Sequence, residues 1–334
     1  MGDVLLCTPA IRSIRKAYPE ARIELLTASP GADALAGNPH LDGILVWQPG
    51  WRAQWALARE IRHRGYTLVV DFQSTPRTAR LVRATRAPRR VGIRGRGPRN
   101  WSYTDLVPKV RGPVYTARQK VGVLAPLNIH APAGDDLSLD IIVSAADREW
   151  AETVWKRWGL DGARPVVAIS PVSREPFKQW GTDRWAEVAD ALAAAGAKLL
   201  LTAGPGERSQ VEEVVRRMHH PAVWDYGRTT LRQLAALYER CELWVGNDGG
   251  AKHVAAAIAT PTITVIRWPL GPVWTDTQNR VPHRYVEREP PAESRGRRRE
   301  SSARASLRAV TSAEVMEAAI ESLRLRGVEP RESA

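Results

Sequence analysis

The sequence lacks the long apolar segments that anchor or export a protein. Among its 334 residues there is no uncharged apolar run of about 18 residues, the length that a membrane-spanning helix needs. The chain starts Met1-Gly2-Asp3, without the basic start and small-residue cleavage site of a secretory signal. These absences predict a cytoplasmic protein.

Cysteine is also scarce. The chain has two cysteines, Cys7 and Cys241, which lie far apart in the sequence. A disulfide framework or a cysteine-based metal cluster needs several cysteines at short spacings, so neither is indicated. We expect both residues to be buried free thiols, and the sequence predicts no metal site.

Acidic residues are outnumbered by basic ones. Asp and Glu number 36 against 49 Lys and Arg, which leaves a formal net charge of +13. Such an excess favours nucleic acid, an anionic membrane or a phosphorylated substrate as partner, although solvated surface explains any single cluster equally well. The basic residues, densest at 86–99 and 295–308, do not show the aromatic interleaving of RNA-stacking platforms, and no RNA module signature occurs, so an RNA-binding or interaction protein is the less favoured reading.

The hydrophobic residues are arranged in short β-type runs that alternate with helical patterns. Strands are predicted at 22–28, 44–47, 67–73 and 137–141, and again at 166–170, 198–202, 222–226, 242–246 and 262–266. Helices are predicted at 4–17, 51–64 and 116–127, and near 183–195, 207–218, 230–240 and 250–259. This alternation predicts an α/β protein with two doubly wound, Rossmann-like domains that face a cleft.

Breakers and caps divide the chain further. The stretch GLDGARP, residues 159–165, predicts a boundary between one domain over 1–160 and a second domain over 161–310. Thr230 with Gln233 and Thr311 with Glu314 fit capping boxes, the second of which opens a terminal helix within 311–326. Residues 284–308 are rich in Arg, Ser, Pro and Glu, and we expect a mobile loop there.

The beginning of the chain departs from the pattern of a doubly wound domain. Such a domain ordinarily starts with a buried strand that delivers a glycine-containing turn, whereas here Met1-Gly2-Asp3 leads directly into a helical pattern. We therefore expect the first strand of the N-terminal domain to be missing.

A glycine-rich junction, GNDGGAKH at 246–253, follows one predicted strand and opens a helix. The backbone N–H groups of Gly249, Gly250 and Ala251 can point at an anion there, with Lys252 or His253 adding a positive contact. A plain Asp248 helix cap with a packed histidine explains the octapeptide equally well.

Two other loops follow predicted strands. SPVSREPFKQW, residues 170–180, offers Ser170, Ser173, Arg174 and above all Lys178 as phosphate donors, while a solvated loop lysine is the simpler alternative. AGPGE, residues 203–207, places Glu207 where an acid accepts from a ribose hydroxyl, or where it merely favours a helix start.

Taken together, these segments resemble the ADP-heptose:lipopolysaccharide heptosyltransferase family. The resemblance rests on GDVLLCTPAIRSIRKAYPEARIELLT at the start, on GNPHLDGIL, on residues 166–207 and on residues 231–266, in the order and spacing of that family. It covers Gly2 to about Pro269 and is weakest over 85–135, and residues 311–323 are similar to the family's terminal helix. Members share the two-domain GT-B fold, invert the sugar's configuration and need no metal or other cofactor for transfer. The resemblance therefore implies that the domain over 1–160 binds the acceptor and that the domain over 161–310 binds the nucleotide sugar.

The resemblance also implies roles for single residues. Asp3 would be the general base that deprotonates the acceptor hydroxyl, although a helix cap explains it without the family. Lys178 would contact the donor's phosphates, Glu207 would lie near the nucleoside, and Asp248, Gly249, Gly250 and His253 would hold the donor. Gly249 stands where the family usually has a hydroxyl residue, and Ile266-Arg267-Trp268-Pro269 replaces its more common Gly-Pro loop.

The sequence thus predicts an inverting glycosyltransferase that moves a heptose or related sugar from an ADP donor to a lipopolysaccharide core or similar envelope glycan. Its basic surface could contact the inner face of the membrane, and no nucleic acid partner is expected. A sugar-nucleotide epimerase or hydrolase of the same fold is the alternative within enzymes.

Overall fold

The computed structural model describes residues 1–131, 136–225, 227–294, 299–325 and 327. The chain divides into two compact units, one over Asp3–Asp140 and one over Ile141–Ala334. The predicted boundary at 159–165 lies inside the second unit, because the helix that precedes it packs against a helix of that unit.

The first unit contains five parallel strands in its described residues. They are β1 (Glu24–Ala28), β2 (Gly43–Trp47), β3 (Leu68–Asp71), β4 (Arg89–Ile93) and β5 (Asp105–Val107). They form a two-stranded sheet, β1-β2, and a three-stranded sheet, β3-β4-β5. The expectation that the first strand of this domain is missing stays a prediction.

Six α-helices accompany these strands in the part of the unit that the structure describes. They are α1 (Gly2–Leu5), α2 (Thr8–Ala17), α3 (Ser29–Leu35), α4 (Trp51–His63), α5 (Pro76–Thr85) and α6 (Thr116–Gly122), with 3₁₀ turns at Pro98–Ser102 and Ala125–Leu127. The helix predicted at 4–17 is interrupted at residues 6–7, where Pro9 starts a new first turn. Strand β4 and helix α5 were not predicted, because arginines hide their apolar positions, and strand β5 was not predicted because it has only three residues.

The strand predicted at 137–141 is wrong. Leu137, Leu139 and Ile141 are buried alternately, as the pattern suggested, but the segment pairs with no strand in the described residues. Instead the Asp140 N–H donates to Thr8 Oγ1 at 2.9 Å, and Arg12 donates to the Asp140 carboxylate at 2.7 Å. Residues 137–141 are thus an extended segment that these hydrogen bonds hold against helix α2.

The second unit is built on one parallel sheet of six strands. They are β6 (Val166–Ser170), β7 (Lys198–Leu201), β8 (Val223–Trp224), β9 (Leu243–Asn247), β10 (Thr262–Val265) and β11 (His283–Val286), in the order β11-β10-β9-β6-β7-β8. Strands β6, β9 and β10 are buried along their whole length, as strands covered on both faces must be.

Helices cover this sheet in the described residues. They are α7 (Ala145–Arg157), α8 (Thr182–Ala194), α9 (Arg208–Arg217), α10 (Leu231–Tyr238), α11 (Gly250–Ala257), α12 (Gly271–Trp274), α13 (Arg299–Ala309) and α14 (Ser312–Arg324), with 3₁₀ turns at Pro176–Lys178 and Ala292–Ser294. Both predicted capping boxes are confirmed: Thr230 caps α10 with Gln233, and Thr311 caps α14 with Glu314.

The loop predicted over 284–308 is wrong at both of its ends, whereas residues 287–291 do form neither helix nor strand. Strand β11 occupies its start and helix α13 its end, and residues 295–298 lie outside the described residues. Ala303, Leu307 and Val310 are buried against the core, at the helical spacings i, i+4 and i+7. Three apolar residues among many arginines and serines were enough to seat α13.

Candidate functional site

The candidate site lies where the strand order in the sheet of the second unit reverses. From β6 the chain proceeds outward through β7 and β8, and from β9 it proceeds through β10 and β11 on the other side. The carboxyl ends of β6 and β9 are therefore the topological switch point, where open α/β sheets bind ligands. Lys178 follows β6, Asp248 follows β9 and Glu207 follows the neighbouring β7.

A buried carboxylate between two lysines occupies this point. Lys178 Nζ lies 3.0 Å from Asp248 Oδ2, and Lys252 Nζ lies 3.2 Å from Asp248 Oδ1. The side chains of Asp248 and Lys252 are 8% and 2% exposed, whereas that of Lys178 is 30% exposed. One ammonium group is thus enclosed in the protein and the other can reach a ligand.

The charges of this triad do not cancel. Burial alone would raise the pKa of Asp248, but the ammonium groups of Lys252 and Lys178 outweigh it and hold that pKa far below its ordinary value. Asp248 is therefore ionised, and two lysines face a single negative charge. An anion that arrives beside Lys178 would complete the pairing.

The loops after β6 and β9 are tied to each other. Asn247 Nδ2 donates to the Pro171 carbonyl at 2.5 Å, and the Trp180 N–H donates to Asn247 Oδ1 at 3.2 Å. Ser173 Oγ donates to the Asp248 carbonyl at 3.4 Å. These bonds fix the distance between the turn that carries Lys178 and the carboxylate that it meets.

Glycines let the two strands and a ligand come close. At Gly246 a β-carbon would lie 2.6 Å from the Ser170 carbonyl oxygen, so no side chain fits between β9 and β6. Gly249 is the N-cap of α11 without a side-chain cap, and Gly250 and Ala251 form the first turn. The amide groups of this first turn have no acceptor within the helix, which makes them available to an anion.

His253 lies in the same helix but is buried, with 4% exposure. Burial, and next the positive charge of Lys252, lower its pKa well below the ordinary value. Its imidazole is neutral at neutral pH, so any part that it plays in binding is not that of a cation.

Glu207 is turned toward its own loop. Its Oε2 accepts the Gly204 N–H at 2.7 Å, and its position is the N-cap of α9. Only one of its oxygens is engaged in this way, at the end of β7 next to β6. Whether the other oxygen meets a ribose stays a prediction.

Asp3 belongs to the first unit, where it lies in the first turn of α1 and is exposed. Its carbonyl accepts a hydrogen bond from Cys7 Sγ at 3.1 Å, whereas its carboxylate has no hydrogen bond or ion pair with the described residues. Helix capping by this side chain is therefore not observed.

Cys7 and Cys241 are buried free thiols, as expected.

Sequence reasoning missed two features of this region. Lys252 was considered only as a positive contact to an anion, although its spacing of four residues from Asp248 is the signal for their pairing. Ser170, proposed as a phosphate donor, is buried and bonded to Thr202 Oγ1 at 2.6 Å and to the Tyr238 hydroxyl at 3.1 Å. Its hydroxyl therefore forms hydrogen bonds within the protein and does not face a ligand.

Two features are absent from the residues that the structure describes. No group of three or more His, Cys, Asp or Glu side chains in the described ranges could hold a metal ion. None of the helices formed by those residues is both long and apolar enough to cross a bilayer.

Comparison with known proteins gives a consistent result. Residues 54–268 match the model of glycosyltransferase family 9, the heptosyltransferases. Lipopolysaccharide heptosyltransferase 3 of Escherichia coli is 29% identical over 278 residues, which cover 79% of each chain, and a second Escherichia coli sequence of that name is 30% identical over 79% of this chain and 80% of its own.

Solved structures agree on the fold. A family 9 glycosyl transferase from Veillonella parvula superposes with a TM-score of 0.81 at 22% identity, covering 97% of this chain and 94% of that one. The ADP-heptose heptosyltransferase II of Escherichia coli superposes with a TM-score of 0.74 at 20% identity, covering 97% and 96%. The α/β architecture with parallel sheets is that of the GT-B heptosyltransferases, and the chain belongs to glycosyltransferase family 9, the heptosyltransferase family.

Proposed function

We propose that this chain is an inverting glycosyltransferase that moves a heptose from an ADP donor to a lipopolysaccharide core. The observation that carries the proposal is the triad of Lys178, Asp248 and Lys252 at the switch point of the second unit, which has one positive charge in excess. The relatives named lipopolysaccharide heptosyltransferase 3, and a heptosyltransferase of similar fold solved with an ADP-heptose analogue, support this choice of donor and acceptor.

The triad suits a donor that leaves as a diphosphate. Lys178 offers its partly exposed ammonium to the phosphates, and Asp248, held on its other oxygen by Lys252, keeps Lys178 in place. The first-turn amides of α11 add donors for the same anion. When the sugar–phosphate bond breaks, negative charge accumulates on the departing diphosphate, and fixed cations stabilise it most at that moment.

Asp3 supplies the base in this proposal. Its carboxylate takes the proton of an acceptor hydroxyl, the hydroxyl oxygen forms a bond to the anomeric carbon, and the bond from that carbon to ADP breaks. Attack from the face opposite ADP inverts the configuration. The Asp3 carboxylate is exposed and has no hydrogen bond or ion pair with the described residues, which is consistent with a group that binds a substrate hydroxyl.

The acceptor implies where the enzyme works. A lipopolysaccharide core is built on a lipid anchor, so the proposal places the protein in the cytoplasm, in peripheral contact with the inner face of the membrane. Glu207, Gly249, Gly250 and His253 complete the proposed donor site around the nucleoside and the sugar.

The test of the reaction is the product. The protein is incubated with ADP-heptose and a lipopolysaccharide core that lacks the terminal heptose, and the expected product is a core that is heavier by one heptose. Free heptose or an altered nucleotide sugar with no change in the core would instead identify a hydrolase or an epimerase.

Asp3→Asn tests the base. We expect this variant to lose on the order of 10² to 10⁴ in turnover, the usual contribution of a positioned general base, with ADP affinity and melting temperature unchanged. Asp33→Asn removes an exposed acid of helix α3 in the same unit and is the matched control. Turnover of the Asp3→Asn variant equal to that of the control excludes Asp3 as base.

Lys178→Gln tests the phosphate contact. Hydrogen bonds to charged groups are worth about 1.5–3 kcal/mol, so calorimetry should show a loss of about tenfold or more in ADP affinity. Lys156→Gln, which removes an exposed lysine of α7 paired with Glu152, should bind ADP normally. Equal affinities for the two variants would count against the proposed donor site.

A further inference from the structure

Helix α4 exposes two large aromatic side chains that its unit does not use. Trp51 is 75% exposed and Trp55 is 66% exposed, and their spacing of four residues places them on one face. The opposite face is anchored, because Leu57 and Ile61 are buried. Such a pair of exposed tryptophans is expected at a contact surface rather than on free solvent-facing helix.

Arginines surround these tryptophans. The Arg52 guanidinium lies 5.2 Å from the centroid of the Trp51 ring, and that of Arg59 lies 5.9 Å from the Trp55 ring. Arg62 follows Trp55 by seven residues and shares the same exposed face. The face that carries Trp51, Arg52, Trp55, Arg59 and Arg62 is called the Trp–Arg face below.

Acidic charge is kept off this face. The one acid in the sequence of α4, Glu60, lies half a turn from Trp51 and Trp55 and accepts from Arg64 Nη2 at 2.5 Å. Helix α5, which packs beside α4, contains no acid and exposes Arg80 and Arg83. The positive charge therefore continues from one helix to the next.

A third tryptophan extends the pattern. Trp101 is 77% exposed and belongs to the 3₁₀ turn at Pro98–Ser102, which packs against α5. Helix α4, helix α5 and this turn thus pack in succession, with exposed tryptophans on the first and the last and exposed arginines on α5.

We propose that the Trp–Arg face docks on an anionic lipid bilayer. Tryptophan side chains insert at the level of the headgroups, because their rings are apolar and their indole N–H groups still reach water or phosphate. Arginines on the same helix face pair with the phosphates of anionic lipids. A bilayer fits better than a nucleic acid strand, because single strands are bound in grooves and this surface is the outward face of a helix.

The choice of a bilayer rests on the proposed function, since the proposed acceptor is held in a membrane by its lipid. Docking through α4 would bring the first unit, which contains Asp3, to the plane in which that acceptor lies. The face itself is defined without reference to the reaction, so it can be tested in the absence of any saccharide.

The experiment is co-sedimentation of the full chain with vesicles of phosphatidylcholine and phosphatidylglycerol in equal parts, and with vesicles of phosphatidylcholine alone. We expect binding to the anionic vesicles that weakens with added salt. Lipids brominated near the headgroup should quench tryptophan fluorescence of the wild type. Binding that is equal for both vesicle types, or the absence of binding and quenching, overturns the proposal.

Variants locate the contact. Trp51→Ala with Trp55→Ala should lower vesicle affinity at least tenfold and remove most of the quenching, while Leu325→Ala, at an exposed apolar residue of the second unit, should bind normally. Arg59→Gln with Arg62→Gln should cost about fivefold per arginine, equivalent to ~1 kcal/mol each, and Arg157→Gln is the matched control. Variants that bind vesicles as the controls do would exclude this face.

The result also separates docking from catalysis. A tryptophan variant that loses vesicle binding yet transfers heptose normally to a delipidated core saccharide supports docking by this face. A wild type that binds vesicles but transfers no sugar retains the docking surface and contradicts the proposed function. Tighter binding of the Trp–Arg face to single-stranded RNA than to anionic vesicles overturns the docking proposal.

Discussion

A single carboxylate holds the triad of the second unit together, and this makes Asp248 a stability residue as well as a site residue. Asp248 is buried between two lysines, and its negative charge compensates theirs in part. Removing one partner of a buried ion pair leaves an uncompensated charge, which costs about 3–5 kcal/mol. We therefore expect Asp248→Asn to lower the free energy of unfolding by about that amount at neutral pH, in urea titrations, against Asp33→Asn as control.

The pH dependence of this difference follows from the pKa of Asp248. That pKa is lower in the folded chain than the ordinary value, so the ionised carboxylate stabilises the fold at every pH above the unfolded-state pKa of about 4. The stabilisation is lost as the pH falls from there through the folded-state pKa. The difference between wild type and Asp248→Asn should be constant between about pH 5 and neutral pH and shrink in stronger acid. A difference that grows on acidification would contradict this assignment.

At the residue scale, the sequence predicted positions where a strand end fixes them, and the roles of these residues stay predictions. Lys178 and Asp248 were predicted from loops after β6 and β9, and the structure brings them to 3.0 Å. The direction of a side chain was not predictable in the same way. Glu207 turns back to the Gly204 amide, and Ser170 turns into the sheet, because each finds a protein partner that lies close in space.

Among the elements, β9 depends on a glycine that the adjacent strand requires. A β-carbon at Gly246 would lie 2.6 Å from the Ser170 carbonyl oxygen of β6, whereas one at Gly249 would lie 3.8 Å from its nearest neighbour. Gly246→Ala should therefore lower the free energy of unfolding by about 1–3 kcal/mol, the usual cost of overpacking. Gly249→Ala makes the same chemical change three residues later and should cost less than about 1 kcal/mol. Thermal unfolding of the two variants tests this, and equal losses would refute it.

Elements were predictable in proportion to how apolar they are. The strands of the second unit are continuous apolar runs, and β6, β7, β9 and β10 lie where the pattern placed them. Strand β4 reads Arg-Arg-Val-Gly-Ile, and helix α13 has buried Ala303 and Leu307 among arginines and serines. Neither was predicted. A few apolar residues on one face are enough for such an element to pack against the rest of the fold, but they do not stand out in the sequence.

In the whole molecule, the two units differ in how well their strands are buried. Strands β1 and β2 are only half-buried, whereas β6, β9 and β10 are buried throughout. Amide exchange in a core element reports the free energy of opening it. Hydrogen exchange should therefore be slowest in β6, β9 and β10 and clearly faster in β1 and β2. Equal protection of the two groups of strands would show that the units open together.

The fold class of the whole molecule was predictable, and details of its first half were not. Alternating strands and helices predict parallel α/β units at any length, since βαβ connections leave few other arrangements. Separate sheets β1-β2 and β3-β4-β5 could not be anticipated, because strand patterns carry no record of which edges pair.

Because the triad at Asp248 has excess positive charge, the choice of buffer anion affects binding measurements. Sulfate and phosphate carry the charge that Lys178 and the amides of α11 attract, so these ions would compete with a nucleotide donor that binds there as proposed. They also stabilise the folded chain by mass action, in proportion to the logarithm of their concentration once the site fills. A donor screened by thermal shift in phosphate buffer would thus look weaker than it is, and the same donor in a buffer of bulky, weakly bound anions would reveal its true affinity.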